Sequence, residues 1–294
     1  MKPAASIIIF TVFSGYGFGL FFWLGINVHD TSYLTKLSFF SVAFISSALG
    51  LISSTFHLGN PQRALKAFTQ WRSSWLSREA ILALLTLILT TLYMIVLIIF
   101  KIKLPWLGIL CACFSLLTVF STSMIYMQMK TVPRWNMKIV PLLFIMHAIT
   151  GTSIVLTNFL ICSFLFFFLG LIQTLCWRLG DREFEKVSHI GTATGLSSRR
   201  GLVRMLEPPH TGNNYLLKEM VFIVAQKHIV TLRWIALLNF SILPFLISFC
   251  CLLFNIQYFV LFVIISVINL FGTLVCRWLF FSEAEHVVGF YYDR

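Results

Sequence analysis

Charge is what this chain most lacks. Only 11% of its 294 residues are Asp, Glu, Lys or Arg, and just ten are acidic. Hydrophobic residues make up 59% of it, and the mean hydropathy is +0.90. A soluble domain has no use for so much apolar surface. About 20 apolar residues are enough for a helix to cross the hydrocarbon core of a bilayer. The sequence therefore reads as an integral membrane protein.

Further absences narrow the chemistry. The seven cysteines (Cys111, Cys113, Cys162, Cys176, Cys250, Cys251 and Cys276) form no C-x-x-C array with iron–sulfur or zinc spacing, so no metal site is expected. They read as buried small hydrophobes. Among seven histidines only His147 falls in mid-span. A transmembrane b-type haem held by two axial histidines is therefore not expected. Thiolate ligation by Cys111, Cys113, Cys250 or Cys251 stays open, with no attachment motif behind it. His147 reads as a hydrogen-bonded packing residue. No Asp, Glu, Lys or Arg stands in the middle of an apolar run, which argues against a proton pump or ion-coupled transporter. The net charge of +12 could suggest nucleic acid, but the basic residues lie between spans and read as topology charge. A cleaved signal peptide is not expected, because the apolar stretch after Lys2 is too long and lacks a clear small-residue cleavage site.

What is present is a series of eight apolar runs, at about 5–26, 37–56, 80–100, 104–127, 139–156, 159–175, 234–254 and 258–281. Thr157-Asn158 supplies the turn between the fifth and sixth, and Asn255-Ile256-Gln257 the turn between the last two. Lipid-exposed backbone must satisfy its own hydrogen bonds, so the expected fold is all-α, a polytopic bundle of eight transmembrane helices. Eight spans place both termini on one side. Nineteen of the 22 Lys and Arg then fall on that side, and only Lys36, Lys101 and Lys103 on the other. The positive-inside rule assigns the terminal side to the cytoplasm. Trp71, Trp75, Trp106, Trp135, Trp177, Trp234 and Trp278 sit at or beyond span ends, where indole rings favour the interface. Gly15 and Gly19 are spaced as a small-x-x-x-small ridge, although ordinary membrane glycine explains them as well.

Two polar segments interrupt the pattern. The longer, 177–233, ends in a stretch from Asn213 to Arg233 that mixes apolar and charged residues. It reads as an amphipathic helix, either partner-binding or hugging the lipid. The shorter runs from Phe56 to Glu79 and carries His57, Gly59, Pro61, Arg63, Lys66, Trp71, Arg72, Trp75, Arg78 and Glu79. Gly59 and Pro61 turn the chain, and Ser77 is a candidate cap for the third span. His57 and Glu79 flank one loop, so they share one membrane face. His57 can donate a hydrogen bond and titrates near neutrality, and Glu79 can relay protons. Arg63, Arg72 and Arg78 can set the local field or pair with Glu79 or with a partner's acids. Such a set suits quinone chemistry. Taken alone, it reads first as interfacial anchoring, since basic and aromatic residues at a membrane interface mostly anchor helices.

The run Thr55-Phe56-His57-Leu58-Gly59-Asn60-Pro61-Gln62-Arg63-Ala64 resembles the H-L-G-x-P-x-R-A signature of the DmsC family, the membrane anchor subunits of dimethyl-sulfoxide-reductase-type molybdoenzymes. The spacing to Glu79, the opening Ile9–Gly15 and Thr131-Val132-Pro133-Arg134-Trp135 are similar too. The resemblance implies a non-catalytic, haem-free anchor that binds quinone or quinol (menaquinone or ubiquinone). It implies as partners a four-cluster iron–sulfur subunit and a molybdopterin catalytic subunit, and as location a bacterial inner membrane. It assigns His57, Gly59 and Glu79 to the quinol site. The long polar segment, with Leu206–Thr211, and the stretch Gln70–Glu79 look like the anchor of the cytoplasmic sulfite-oxidising branch. That branch implies quinone reduction coupled to sulfite oxidation. The alternatives are the quinol-oxidising anchor of a sulfoxide or N-oxide reductase in anaerobic respiration, and a transporter or non-redox scaffold.

Overall fold

The computed structural model describes residues 3–26, 32–56, 66, 68–156, 158–187, 190–196, 203, 206–207, 228–256 and 259–292. Among them there is no strand. The helices are α1 (Ala5–Ile26), α2 (Tyr33–Thr55), α3 (Trp75–Ile98), α4 (Pro105–Met127), α5 (Ile139–Thr152), α6 (Phe159–Val187), the short α7 (Ile190–Thr194), α8 (Ile229–Leu237), α9 (Leu243–Leu253) and α10 (Phe259–Ser282). A π turn, Leu238–Ile242, joins α8 and α9 into one bent span. Among the described residues seven helices are long and apolar enough to cross a membrane. The eighth, α5, has only 14 residues. It continues into a 3₁₀ turn at Ser153–Leu156. Together they rise about 29 Å, close to the thickness of a hydrocarbon core. The chain is a multi-pass helical membrane bundle.

These helices are apolar on both faces, around a buried core that includes Phe18, Phe21, Phe40 and Phe144. Their outward faces carry Val42, Ile45, Leu49, Leu84, Ile88, Leu92 and Val267, all exposed. Their inward faces also carry hydroxyls and small residues: Ser14 and Thr11 on α1, Ser47 on α2, Thr86 and Thr90 on α3, and Ser115, Thr118 and Thr122 on α4. Lipid supplies no hydrophobic drive between helices, so close contact and cross-helix hydrogen bonds do the joining. Thr86 and Thr118 hydroxyls meet at 3.0 Å between α3 and α4.

Helix α1 is central and touches α2, α4, α5 and α10. Its glycines make this possible. A methyl group on Gly17 would lie 2.5 Å from the Ser47 nitrogen, and one on Gly19 would lie 2.2 Å from the Ala148 carbonyl oxygen. Gly15, by contrast, has nothing within 4 Å of such a methyl. The close-packing ridge is therefore Gly17 and Gly19, which face two different neighbours, rather than Gly15 and Gly19.

The turns follow local chemistry. Asn158 Oδ1 accepts from the backbone N–H of Leu160 and Ile161, capping α6. Asn255 adopts φ 52 and closes α9, with Ile256 N–H donating to Cys251 O. Pro244 lacks an N–H, so the carbonyl of Phe240, four residues earlier, loses its helical donor. Asn269 Nδ2 of α10 donates to that carbonyl at 2.7 Å, and Asn269 Oδ1 accepts from Tyr16 of α1.

Several boundaries differ from the sequence reading. Helix α3 starts at Trp75, and α6 runs to Val187, well past the end of its apolar run. At 1.5 Å per residue α6 is about 43 Å long, so its charged last turns stand clear of the hydrocarbon. Trp71, Trp106 and Trp234 are exposed at helix ends, as interfacial rings should be. Trp135 is not: it is buried, stacks on Phe280 and donates its indole N–H to Phe280 O at 2.9 Å. Most of the expected amphipathic stretch Asn213–Arg233 lies outside the described residues, and only its end, from His228, is seen entering α8.

Gly19→Ala is expected to lower the stability of the detergent-solubilised protein by about 1–3 kcal/mol, because the neighbouring backbone cannot retreat. Gly15→Ala is expected to be neutral or slightly stabilising, as alanine favours helix. Thermal denaturation of the two variants checks the pair.

Candidate functional site

Because α3 begins at Trp75, Glu79 lies one turn inside the helix and faces the bundle. It is 4% exposed, and its carboxylate accepts a hydrogen bond from the Thr122 hydroxyl of α4. Ser77, expected as a cap, is buried within the helix instead. Ser74 holds the N-cap position without a side-chain bond. Arg78 fastens the helix start. Its Nε donates to Trp71 O at 2.9 Å, its Nη2 to Arg72 O at 2.7 Å, and its guanidinium lies 4.3 Å from the Trp75 ring centroid. Arg72 lies over the Trp71 ring at 5.5 Å. Neither arginine is bonded to Glu79. The two neighbouring residues diverge, Arg78 to the loop and Glu79 to the interior. Trp75 meets Phe120 edge-on beside them, at 6.0 Å between centroids. His57, Gly59, Pro61 and Arg63 lie outside the described residues.

A second cluster, on the same side, ties four segments together. Arg233 of α8 donates through Nε and Nη2 to Glu283 at 2.9 and 2.6 Å. It also donates through Nη1 and Nη2 to Asp181 of α6 at 2.7 and 2.8 Å. Arg134, from the turn after α4, donates to Asp181 and lies 3.6 Å from Glu283. Two arginines and two carboxylates make a neutral quartet. The arginines also lie over the Trp177 and Phe184 rings.

Between these clusters the interior stays polar. Arg277 of α10 is 3% exposed, and its guanidinium lies 3.6 Å from the Phe144 ring centroid. Among the described residues no carboxylate forms a salt bridge with it. His147 is buried on α5, with Nε2 3.1 Å from Gln173 Oε1. The Cys276 thiol donates to that same oxygen at 3.1 Å. Because Gln173 Oε1 is the acceptor, the His147 proton sits on Nε2 and Nδ1 is left as an acceptor. The expected packing role of His147 fits this geometry. An apolar cavity of about 400 Å³ lies elsewhere, lined by Phe13, Val42, Val155, Phe262 and Val267 among others, and does not reach Glu79.

The profile of the DMSO reductase anchor subunit (DmsC) family matches residues 1–282. The chain belongs to the DmsC family. It is also 26% identical over 331 aligned positions to a subunit of the sulfite dehydrogenase of Allochromatium vinosum, an alignment that covers 100% of this chain and 99% of that one. No solved structure matches it. Both the family and the sulfite-oxidising branch agree with the reading of the sequence.

Within this DmsC chain Glu79 is buried against α4, while Arg72 and Arg78 lie on the loop side of the helix start. Sequence reasoning missed Thr122, 43 positions from Glu79, and the whole arginine–carboxylate quartet. One signal for Thr122 was available: Ser115, Thr118 and Thr122 recur at helical spacing on one face of an otherwise apolar run. The quartet had none, because its members come from four separate segments.

Glu283→Gln leaves two partly buried arginines sharing one carboxylate and should cost about 1.5–3 kcal/mol. Lys186→Ala breaks only the exposed Lys186–Glu183 pair and should change stability by less than about 0.5 kcal/mol. Melting curves of both proteins in one detergent make the comparison.

Proposed function

We propose that this DmsC-family chain is the quinone-reactive membrane anchor of a molybdopterin/iron–sulfur oxidoreductase. It passes electrons between an iron–sulfur subunit and the membrane quinone pool. The observation that supports this is a carboxyl group, Glu79, buried one turn below the terminal-side boundary and served by a hydroxyl from the next helix. A protonatable group at that depth is costly in a bilayer and marks function by default.

The donor set fits a quinone headgroup. Glu79 and Thr122 offer a proton and a hydrogen bond, Trp75 and Phe120 form an apolar wall, and exposed Leu76 leads to lipid. A bound quinone supplies a two-electron, two-proton acceptor. Glu79 holds the proton at the site, Thr122 orients its carboxyl, and Arg78 keeps the loop closed against the helix start. His57, Gly59, Pro61 and Arg63 complete the site in this reading.

The relative and the charge support a direction and an orientation. The Allochromatium relative belongs to a sulfite dehydrogenase, which favours electron flow from sulfite toward quinone. The bias of Lys and Arg supports a cytoplasmic side for the termini, the Phe56–Glu79 loop and the quartet, and the bacterial relative supports an inner-membrane location. Partner subunits then dock on that cytoplasmic face.

Glu79→Gln is expected to leave the complex assembled and to lower quinone-linked turnover by about 100-fold or more. His57→Ala should act in the same sense. Full turnover in an assembled Glu79→Gln complex would remove the quinone reading. A reporter enzyme fused after Arg294 should be active only in its cytoplasmic form, and periplasmic activity would reverse the orientation.

A further inference from the structure

Glu79 is not the end of the polar interior. Thr122, which donates to it, also lines a small cavity with Thr11, His147, Thr273 and Arg277. That cavity has a volume of about 10 Å³. Three fully buried atoms of its lining residues, Nδ1 of His147, Oγ1 of Thr273 and Nε of Arg277, have no hydrogen-bond partner among the described residues. On the other side of Arg277 lies a second cavity of about 30 Å³, shared with Gln173, Cys276, Arg134 and Glu283. Nε of Arg134 is likewise buried without such a partner. A water needs roughly 10–15 Å³ and two to four polar neighbours, and both spaces meet that requirement. Arg277 is the one residue that lines both. The second cavity reaches Glu283, whose partner Arg233 also binds Asp181, and the Asp181 side chain is 37% exposed.

We propose that these two hydrated cavities form an internal proton route from Glu79, past Arg277, to Asp181 on the terminal-side surface. This rests on the role in proton transfer proposed for Glu79. The bookkeeping of one transfer is simple. Glu79 gives its proton to a quinone oxygen and becomes a carboxylate. Thr122 passes its hydroxyl proton to that carboxylate and takes one from the water in the first cavity. The missing proton moves outward in this way until bulk water at Asp181 replaces it, so one proton enters for each one delivered. Arg277 sets the polarity of the route. A fixed cation repels an excess proton and favours a missing one. The route therefore suits refilling Glu79 after it has discharged, which is the direction that quinone reduction requires. It also accounts for a buried arginine without a bound carboxylate, otherwise an expensive feature in a bilayer.

The test is hydrogen–deuterium exchange of the Glu79 carboxyl, followed by infrared spectroscopy on the full chain in lipid nanodiscs and assigned with Glu79→Gln. Thr122→Val removes the first link at constant shape, and Arg277→Met fills the gap between the cavities. Each is expected to slow exchange by about tenfold or more, equivalent to about 1.4 kcal/mol of barrier. Thr91→Val, on the same helix as Glu79 but bonded only to Leu87 O, serves as the control and should exchange like the parent. If Thr122→Val and Arg277→Met both exchange at the parent rate, Glu79 is served through the Phe56–Glu79 loop and the internal route is overturned. Should one variant fail to fold, the other decides. Quinone turnover is measured in parallel. Slowed exchange with unchanged turnover keeps the route and rejects the quinone reading, so the two ideas fail separately.

Discussion

Inside a bilayer a polar side chain has no water to fall back on, and this bundle is arranged around that constraint. Many buried hydroxyls bond a carbonyl of their own helix, and the remaining polar groups look to another helix or to an internal water. The Thr122–Glu79 bond, the Thr86–Thr118 pair, the Asn269 bridge and the arginine–carboxylate quartet are four such answers. Each fixes the rotation of a helix that apolar packing alone would leave free, because a ring of leucines facing lipid prefers no particular angle. The glycines of α1 complement this by letting backbones approach closely enough for short side chains to meet.

The same constraint sorts function from scaffold. The quartet is internally neutral and lies where four segments converge, so it holds them together and also forms the outer end of the proposed route. Glu79 and Arg277 are each buried without an opposite charge bonded to them among the described residues. Glu79 sits about 6 Å inside the start of α3 and Arg277 about 7.5 Å inside the end of α10, at 1.5 Å per residue. Their similar depth makes a polar layer just inside the ends of these two helices.

Much of the fold was legible because spans are a one-dimensional signal. Apolar length marked the eight crossings, and Asn158 and Asn255 marked two turns through their own side-chain and backbone chemistry. Helix ends were less legible. Trp75 and Leu76 could belong to loop or helix by hydropathy, and the difference moved Glu79 from the boundary into the interior. The charged tail of α6 was invisible to a hydropathy reading, since a helix leaving the membrane turns polar without ending. Glu79 itself was found through its place in a motif. Thr122 and Arg277 needed three dimensions: a threonine in an apolar run and an arginine near a span end are both ordinary until they are seen lining one cavity.

The π turn at Leu238–Ile242 has a consequence for the span that contains it. One additional residue in a turn advances the following helix by about 100° of phase, since an α-helix places 3.6 residues per turn. The two halves of that span therefore present different stripes of sequence to their neighbours. The α8 half turns toward α10 and delivers Arg233 to the quartet, while the α9 half turns toward α6. A single crossing thus behaves as two short helices of different phase welded end to end, and its amphipathic character cannot be described by one helical wheel.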